Sequence, residues 1–421
     1  MYDITLNLCN LWLLLMRNTT QTILLLFALL LTLGTPLTRP GYQNLPVTIP
    51  VDITSYGGIV VQTQINNSRP LSFWLDSGST SPFVIGLNKA TALGLNLQGH
   101  ISGGGGAGPN TYAVSKTSGL TIKLNDVTFA NQGAAVMSLG VVEEQFGRSV
   151  DGLVGLDLFL KYVVEIDYAG KRLRLADPRS YVYSGTGESL PLTLQDGHFF
   201  VPASIAIPKR GELRGRFLID TGGCMMSAIL TTPFARKNRL PAATQKIILD
   251  RSVSGLGGET RLLVGRASSF KIGGSVFAEP LIYISQDDGG ALASSEYEGL
   301  IGTEVLRRFK VIFDYPGRRL ILERNAQFAE PLEYDMSGMS LRAYGDDFRT
   351  FRIYQVLKAS AAAQAGLRVG DIIAGIDATS ASQLTLEQIL QMMKVPGREY
   401  KLTIKRDTDT RLVKIKTRRL I

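Results

Sequence analysis

A duplication constrains this chain more than any other feature. The hexapeptide Phe73-Trp74-Leu75-Asp76-Ser77-Gly78 returns as Phe217-Leu218-Ile219-Asp220-Thr221-Gly222, at an offset of 144 (220 − 76). In each copy an apolar run ends in an acid, a hydroxyl residue and a glycine. Such a run reads as a buried strand, and the polar triplet as a tight turn leaving it. A second landmark follows each copy. Asp151-Gly152-Leu153-Val154-Gly155-Leu156 matches Glu298-Gly299-Leu300-Ile301-Gly302-Thr303, at an offset of 147 (298 − 151). Both then run into an Asp-Tyr-x-Gly-basic stretch, at Asp167 and Asp314. These two acids read as hairpin-turn residues. The two halves therefore share one plan, with only a few residues inserted between landmarks.

The stretches between landmarks also correspond. Helix-compatible segments follow the hexapeptides, from Leu87 to Leu95 and from Thr231 to Leu240. Glycine-rich segments come next, Ser102 to Gly108 with Gly104, Gly105 and Gly106 at its centre, and Ser254 to Gly258 with Gly257 and Gly258. Two readings stay open for them: a flexible hairpin tip, or a mobile flap over a cleft. Neither ends in Lys-Ser or Lys-Thr, so neither reads as a phosphate loop.

On these residues the chain resembles the pepsin/retropepsin-like aspartic proteases. The carrying motifs are Asp76-Ser77-Gly78 and Asp220-Thr221-Gly222, each with a downstream apolar-apolar-Gly, Leu153-Val154-Gly155 and Leu300-Ile301-Gly302. The resemblance covers about residues 45 to 325. It implies a mostly β fold in which two homologous lobes form a bilobal cleft and each supplies one catalytic aspartate, Asp76 and Asp220. Ser77, Gly78, Ser79, Thr221 and Gly222 would support the catalytic loops, and the glycines of the two flaps would bind substrate. The chemistry explains the pairing. Two carboxyl groups about 3 Å apart cannot both ionise, so the pair keeps one proton. The ionised member takes a proton from water, and the protonated member hydrogen-bonds the peptide carbonyl. One position departs from the pattern. Ser79 follows Gly78, but Gly223 follows Gly222. Asp220 thus lacks the neighbouring hydroxyl usual in pepsin-like enzymes, which sets the two acids apart.

The pattern changes after Asn325. Ala365-Gly366-Leu367-Arg368-Val369-Gly370-Asp371-Ile372-Ile373, inside a longer Ala-rich lead, resembles a bacterial-type PDZ domain over about residues 334 to 421. Gly338, Met339, Ser340 and Leu341 stand where that family binds a peptide carboxylate, and a helix from Ser382 to Lys394 would flank the groove. Such a groove takes a peptide as an added strand. The other reading is a small α+β domain that packs on the protease without a ligand.

Residues 1 to 40 form a leader. The apolar run from Ile23 to Leu33 is preceded by Arg17 and followed by Gly34, Thr35 and Pro36. This reads as a secretory signal peptide, with an uncleaved membrane anchor as the alternative. The protein is therefore expected outside the cytosol, periplasmic or secreted. Of the two cysteines, Cys9 lies in the leader, so Cys224 is left without a disulfide partner and reads as a small buried residue. Two histidines and one cysteine are too few for a zinc site, and no cofactor is expected. No Gly-x-Ser-x-Gly elbow occurs, which disfavours a serine hydrolase. The net charge is +9, but no arginine-rich run with interleaved aromatics points to nucleic acid.

The expected organisation is a leader over 1–40, lobe one over 41–183, lobe two over 184–328 and the PDZ domain over 334–421. The expected function is a monomeric aspartic endopeptidase acting on peptide or protein substrates, with a PDZ domain for a substrate or partner peptide, a C-terminal tail included. The alternative is a non-catalytic peptide-binding or scaffolding protein that keeps the fold.

Overall fold

The computed structural model describes residues 45–103, 108–243 and 249–421, so the leader and Gly104, Gly105 and Gly106 lie outside the described residues. The fold is mostly β, with the two-lobed plan and a C-terminal PDZ-type domain, as the repeat implied. Among the described residues no helix is long and apolar enough to cross a membrane.

The two lobes repeat the same strand order. In lobe one the hexapeptide strand Leu71–Leu75 pairs with Gly152–Val154 in parallel, and Gly152–Val154 pairs with Phe83–Gly86. In lobe two Gly211–Ile219 pairs with Gly299–Ile301 in parallel, and Gly299–Ile301 with Ala228–Leu230. Phe73 and Phe217 are both fully buried, which anchors the two hexapeptides. Burying a phenylalanine contributes about 2–3 kcal/mol. The copies differ in continuity. Lobe one runs Tyr112–Leu124 and Val127–Met137 as a long hairpin, whereas lobe two divides the same course into Gly258–Arg266 with Ser269–Ile272, and Ser275–Ala278 with Leu281–Ser285.

A third sheet joins the lobes. Its central pair is Val163–Asp167 against Phe309–Asp314, with Val164 opposite Phe313 and Ile166 opposite Val311. Each lobe supplies three of its six strands, in the order Val47–Pro50, Arg172–Ala176, Val163–Asp167, Phe309–Asp314, Arg319–Arg324, Glu188–Pro191. One face adds to the main core; the other, with Val163, Ile312 and Ile321, is covered by Tyr181 and Tyr183 of the connecting segment. Asp167 and Asp314 brace the hairpin turns, accepting from the N–H of Gly170 at 2.7 Å and of Gly317 at 3.0 Å. They sit in turns, as their setting in the sequence implied.

The C-terminal domain has a sheet whose edge strand is Met339–Tyr344. Met339, Leu341 and Ala343 face its core, and Ser340, Arg342 and Tyr344 alternate outward. The helix expected from Ser382 begins later, at Leu386–Met393, because Thr385 and Gln388 form a reciprocal capping box that starts it there. Leu386, Ile389, Leu390 and Met393 are buried at i, i+3, i+4 and i+7.

Candidate active site

Both acids sit just past the ends of buried strands. The Asp76 N–H donates to Val154 O at 2.9 Å and the Asp220 N–H to Ile301 O at 3.0 Å, so each loop leaves its strand in a fixed direction. The loops then interlock across the lobe boundary. Ser77 N–H donates to Thr221 Oγ1 at 2.9 Å and Thr221 N–H to Ser77 Oγ at 3.0 Å. The hydroxyls pass on the chain, Ser77 Oγ to Ile219 O at 2.7 Å and Thr221 Oγ1 to Leu75 O at 2.9 Å. Glycine is required beside the acids because each loop lies on the opposite carboxyl. A Cβ on Gly78 would stand 2.7 Å from Asp220 Oδ1, and one on Gly222 would stand 2.6 Å from Asp76 Oδ1.

The two carboxyl groups face one cavity, each lying against the glycine beside the other acid. Burial raises the pKa of Asp76, against the pull of the Gly78 N–H, of Asp220 and of the Ser79 N–H. Burial also raises Asp220, and there the negative charge of Asp76 adds to it, so Asp220 stands well above the ordinary carboxyl range. The pair therefore holds a proton, and Asp220 is its better holder. Ser79 contributes through its backbone: its hydroxyl turns to Ser81 O, 3.5 Å away. The hydroxyl difference seen in the sequence thus does not reach Asp76, and burial is the leading cause of the upward shift of both acids.

Around the acids lies a cavity of about 210 Å³. Its walls include Trp74, Phe146, Leu218, Met226, Leu256 and Tyr297. Tyr56 stacks on both Trp74 and Phe146, whose own rings are tilted by 30° with centroids 4.8 Å apart. Tyr297 donates to Ala291 O at 2.6 Å, and burial with the nearby Asp220 pushes its hydroxyl up to about 12. Burial lowers His198, against the pull of Asp196. Cys224 is a buried free thiol, and burial, with Asp220 and Asp76 nearby, raises it well above its ordinary value. It stays a thiol, in line with a small buried residue. Among the described residues no cluster of three or more His, Cys, Asp or Glu side chains offers a metal site.

The flap segments meet. Asn110 N–H donates to Gly257 O at 2.9 Å, and a Cβ on Gly108 would stand 2.4 Å from Gly257 C. Gly257 and Gly258 therefore belong to a contact between the two glycine segments. Ser340 and Leu341 line a pocket with Cys224, Met225 and Met226, while Gly338 and Met339 are buried in the PDZ loop. Sequence reasoning missed Met225, Phe146 and Tyr297, and it left Trp74 without a role although the hexapeptide contains it.

The interlocked loops, paired acids and enclosing cleft define an aspartic-protease type of site. Residues 61–158 match the family model described as Aspartyl protease, and residues 333–405 match the one described as PDZ domain. The resemblance to an aspartic protease with a C-terminal PDZ domain is thereby borne out. Asp76 falls inside the first matched segment; Asp220 lies outside it, and its place beside Asp76 comes from the structure. Among solved structures the chain is similar to an aspartic proteinase from Irpex lacteus, at 17% identity and a TM-score of 0.42, covering 68% of this chain and 99% of that one. It is also similar to Basic 7S globulin from soybean, at 13% identity and a TM-score of 0.37, covering 66% of this chain and 94% of that one. No curated protein matches it in sequence.

Proposed function

We propose that the protein is an aspartic endopeptidase that hydrolyses peptide bonds through a water activated between Asp76 and Asp220. The observation that carries this reading is the reciprocal lock of the two Asp-hydroxyl-Gly loops, which lays each buried acid against the glycine beside the other. Asp76, ionised, takes a proton from the attacking water. Asp220, protonated, donates a hydrogen bond to the peptide carbonyl as it becomes tetrahedral, and stabilises the developing oxyanion. The interlocked loops fix the two groups relative to each other, so little reorganisation is needed during reaction. Gly257 and Gly258 of the second flap close over the substrate and exclude water. The PDZ domain adds a second peptide-binding element, for substrate or partner. The leader, residues 1 to 40, directs the chain out of the cytosol, as a signal peptide or an anchor.

Cleavage of a random peptide pool across pH, by wild type and by Asp76→Asn, tests the reading. Asp76-dependent cleavage is the expected result. Peptide binding without Asp76-dependent cleavage would instead establish the non-catalytic binding protein.

A further inference from the structure

One residue of the second lobe's catalytic loop reaches the PDZ core. Met225 follows Asp220 on the same loop of lobe two, and its side chain packs against both the PDZ core and the aromatic cluster around Trp74. It lines one pocket with Ser340, Leu341, Arg342 and Leu390, that is, with the edge strand and the helix that flank the groove. Its backbone is held in the left-handed region, at φ 68°. A non-glycine residue persists there only where its surroundings over-determine it.

The other PDZ contacts fall on the same parts of the protease. Gln391 Nε2 donates to Ser55 Oγ at 2.8 Å, and Glu387 accepts from the Ser55 N–H, next to Tyr56 of the aromatic wall. Lys394 pairs with the buried Glu304 at 3.4 Å, two residues beyond Gly302. Arg342 pairs with Glu144 at 3.5 Å and hydrogen-bonds Ser254 Oγ at the base of the second flap. Gln145, Cys224, Met226, Val253 and Ser254 line both the catalytic cavity and the PDZ-side pocket, so they form a wall between the two. The carboxylate-binding loop is closed on itself. The Ser337 N–H donates to Asp335 Oδ1 at 2.7 Å and the Met339 N–H to Ser337 Oγ at 3.1 Å.

We propose that the PDZ domain positions the catalytic loop: Met225 is the resident ligand of its groove, and Leu341 and Leu390 hold the Asp220 loop in place in the cleft. This rests on the aspartic-protease reading. Met225, Leu341 and Leu390 are positioning residues, since they act through the loop rather than on substrate. An apolar peptide tail enters the groove only by exchanging with Met225, which makes occupancy of the groove a direct influence on the dyad.

The test uses the full chain with Met225→Ala, Leu390→Ala and the conservative Met225→Leu. Met225→Ala lies outside the PDZ domain, so it keeps the question open if Leu390→Ala disturbs that domain's core. Hydrogen exchange over residues 220–226 is expected to rise by roughly tenfold or more in both alanine variants, with exchange in the strand Phe309–Asp314 unchanged. Peptide cleavage is expected to lose at least about tenfold in kcat with little change in KM, because small displacements of reacting groups are costly. The limbs of the pH profile are expected to move, and Met225→Leu to restore most of the loss. Wild-type exchange in both alanine variants, or faster exchange with kcat and pH profile unchanged, overturns the proposal. If wild type shows no Asp76-dependent cleavage, the protease reading falls, and exchange alone then decides whether the groove holds the loop.

Discussion

Ser77 and Thr221 exchange hydrogen bonds reciprocally, each backbone N–H donating to the other's hydroxyl, at 2.9 and 3.0 Å. Both residues are almost fully buried. With water excluded, every donor and acceptor in this exchange depends on the other lobe. The two halves of the repeat are thereby locked in register at the point where chemistry is required.

Thr221→Val keeps the shape of the side chain and removes the hydroxyl. The Ser77 N–H and Leu75 O then lose their partner in a buried setting, at a cost of about 1–3 kcal/mol. Denaturant unfolding should report that loss. The fall in kcat should exceed what the unfolded fraction explains, because the loop also loses its registration.

Asp76→Asn and Asp220→Asn should each lower kcat by on the order of 10³-fold or more, and the double variant should lose little beyond either single one. The two acids work as one unit, so their effects are far from additive. In wild type kcat/KM should trace a bell against pH, whose limbs belong to the pair. Full activity in either single variant would remove the assignment.

The same acids make stability depend on pH. Both are raised in the folded state, mainly by burial. The folded protein therefore binds these protons more tightly than the unfolded chain. The resulting stabilisation is fully present below the ordinary carboxyl pKa and is lost as pH rises through the raised folded values. Asp220→Asn removes one of these groups. Its urea midpoint should match wild type near about pH 3 and exceed it near about pH 7. A midpoint difference that is independent of pH would contradict this.

Gly223→Ser tests the proton's holder. A Cβ at Gly223 would stand 3.2 Å from Asp220 Oδ2, close enough for a hydroxyl to reach the carboxylate after a small local shift. A hydrogen bond to the carboxylate favours its charged form, so the alkaline limb of the pH profile should move to lower pH. Ser79→Gly should leave the limbs in place, since the Ser79 hydroxyl faces Ser81 O rather than Asp76.

Gly108→Ala addresses the flaps. Gly108 has φ 99° and abuts Gly257, so an alanine there is strained and pushes the two segments apart. Peptide cleavage should drop by about tenfold or more in kcat/KM, while the unfolding midpoint changes little. Unchanged cleavage would count against a closing role.

Much of this protein is legible in its sequence. The duplication determined two lobes with one strand order, because apolar runs and turn residues at fixed spacing encode local structure directly. The Asp-hydroxyl-Gly triplets marked Asp76 and Asp220, since a carboxyl at a buried strand end needs a neighbouring hydroxyl and a residue without a Cβ. The Ala-Gly-Leu-x-x-Gly-Asp stretch marked the PDZ domain. The tertiary structure decided what depends on surfaces meeting. Met225 carries no mark in the sequence; the fold brings it to the pocket that Leu341 and Leu390 also line. Arg342 and Glu144 carry no shared signal in the sequence, yet packing brings them to 3.5 Å. Ser79 reads in the sequence as a donor to Asp76, but its hydroxyl turns to Ser81 O. Spacing along a chain specifies strands and turns; which side chains share a cavity follows only from how the finished sheets and the PDZ helix pack together.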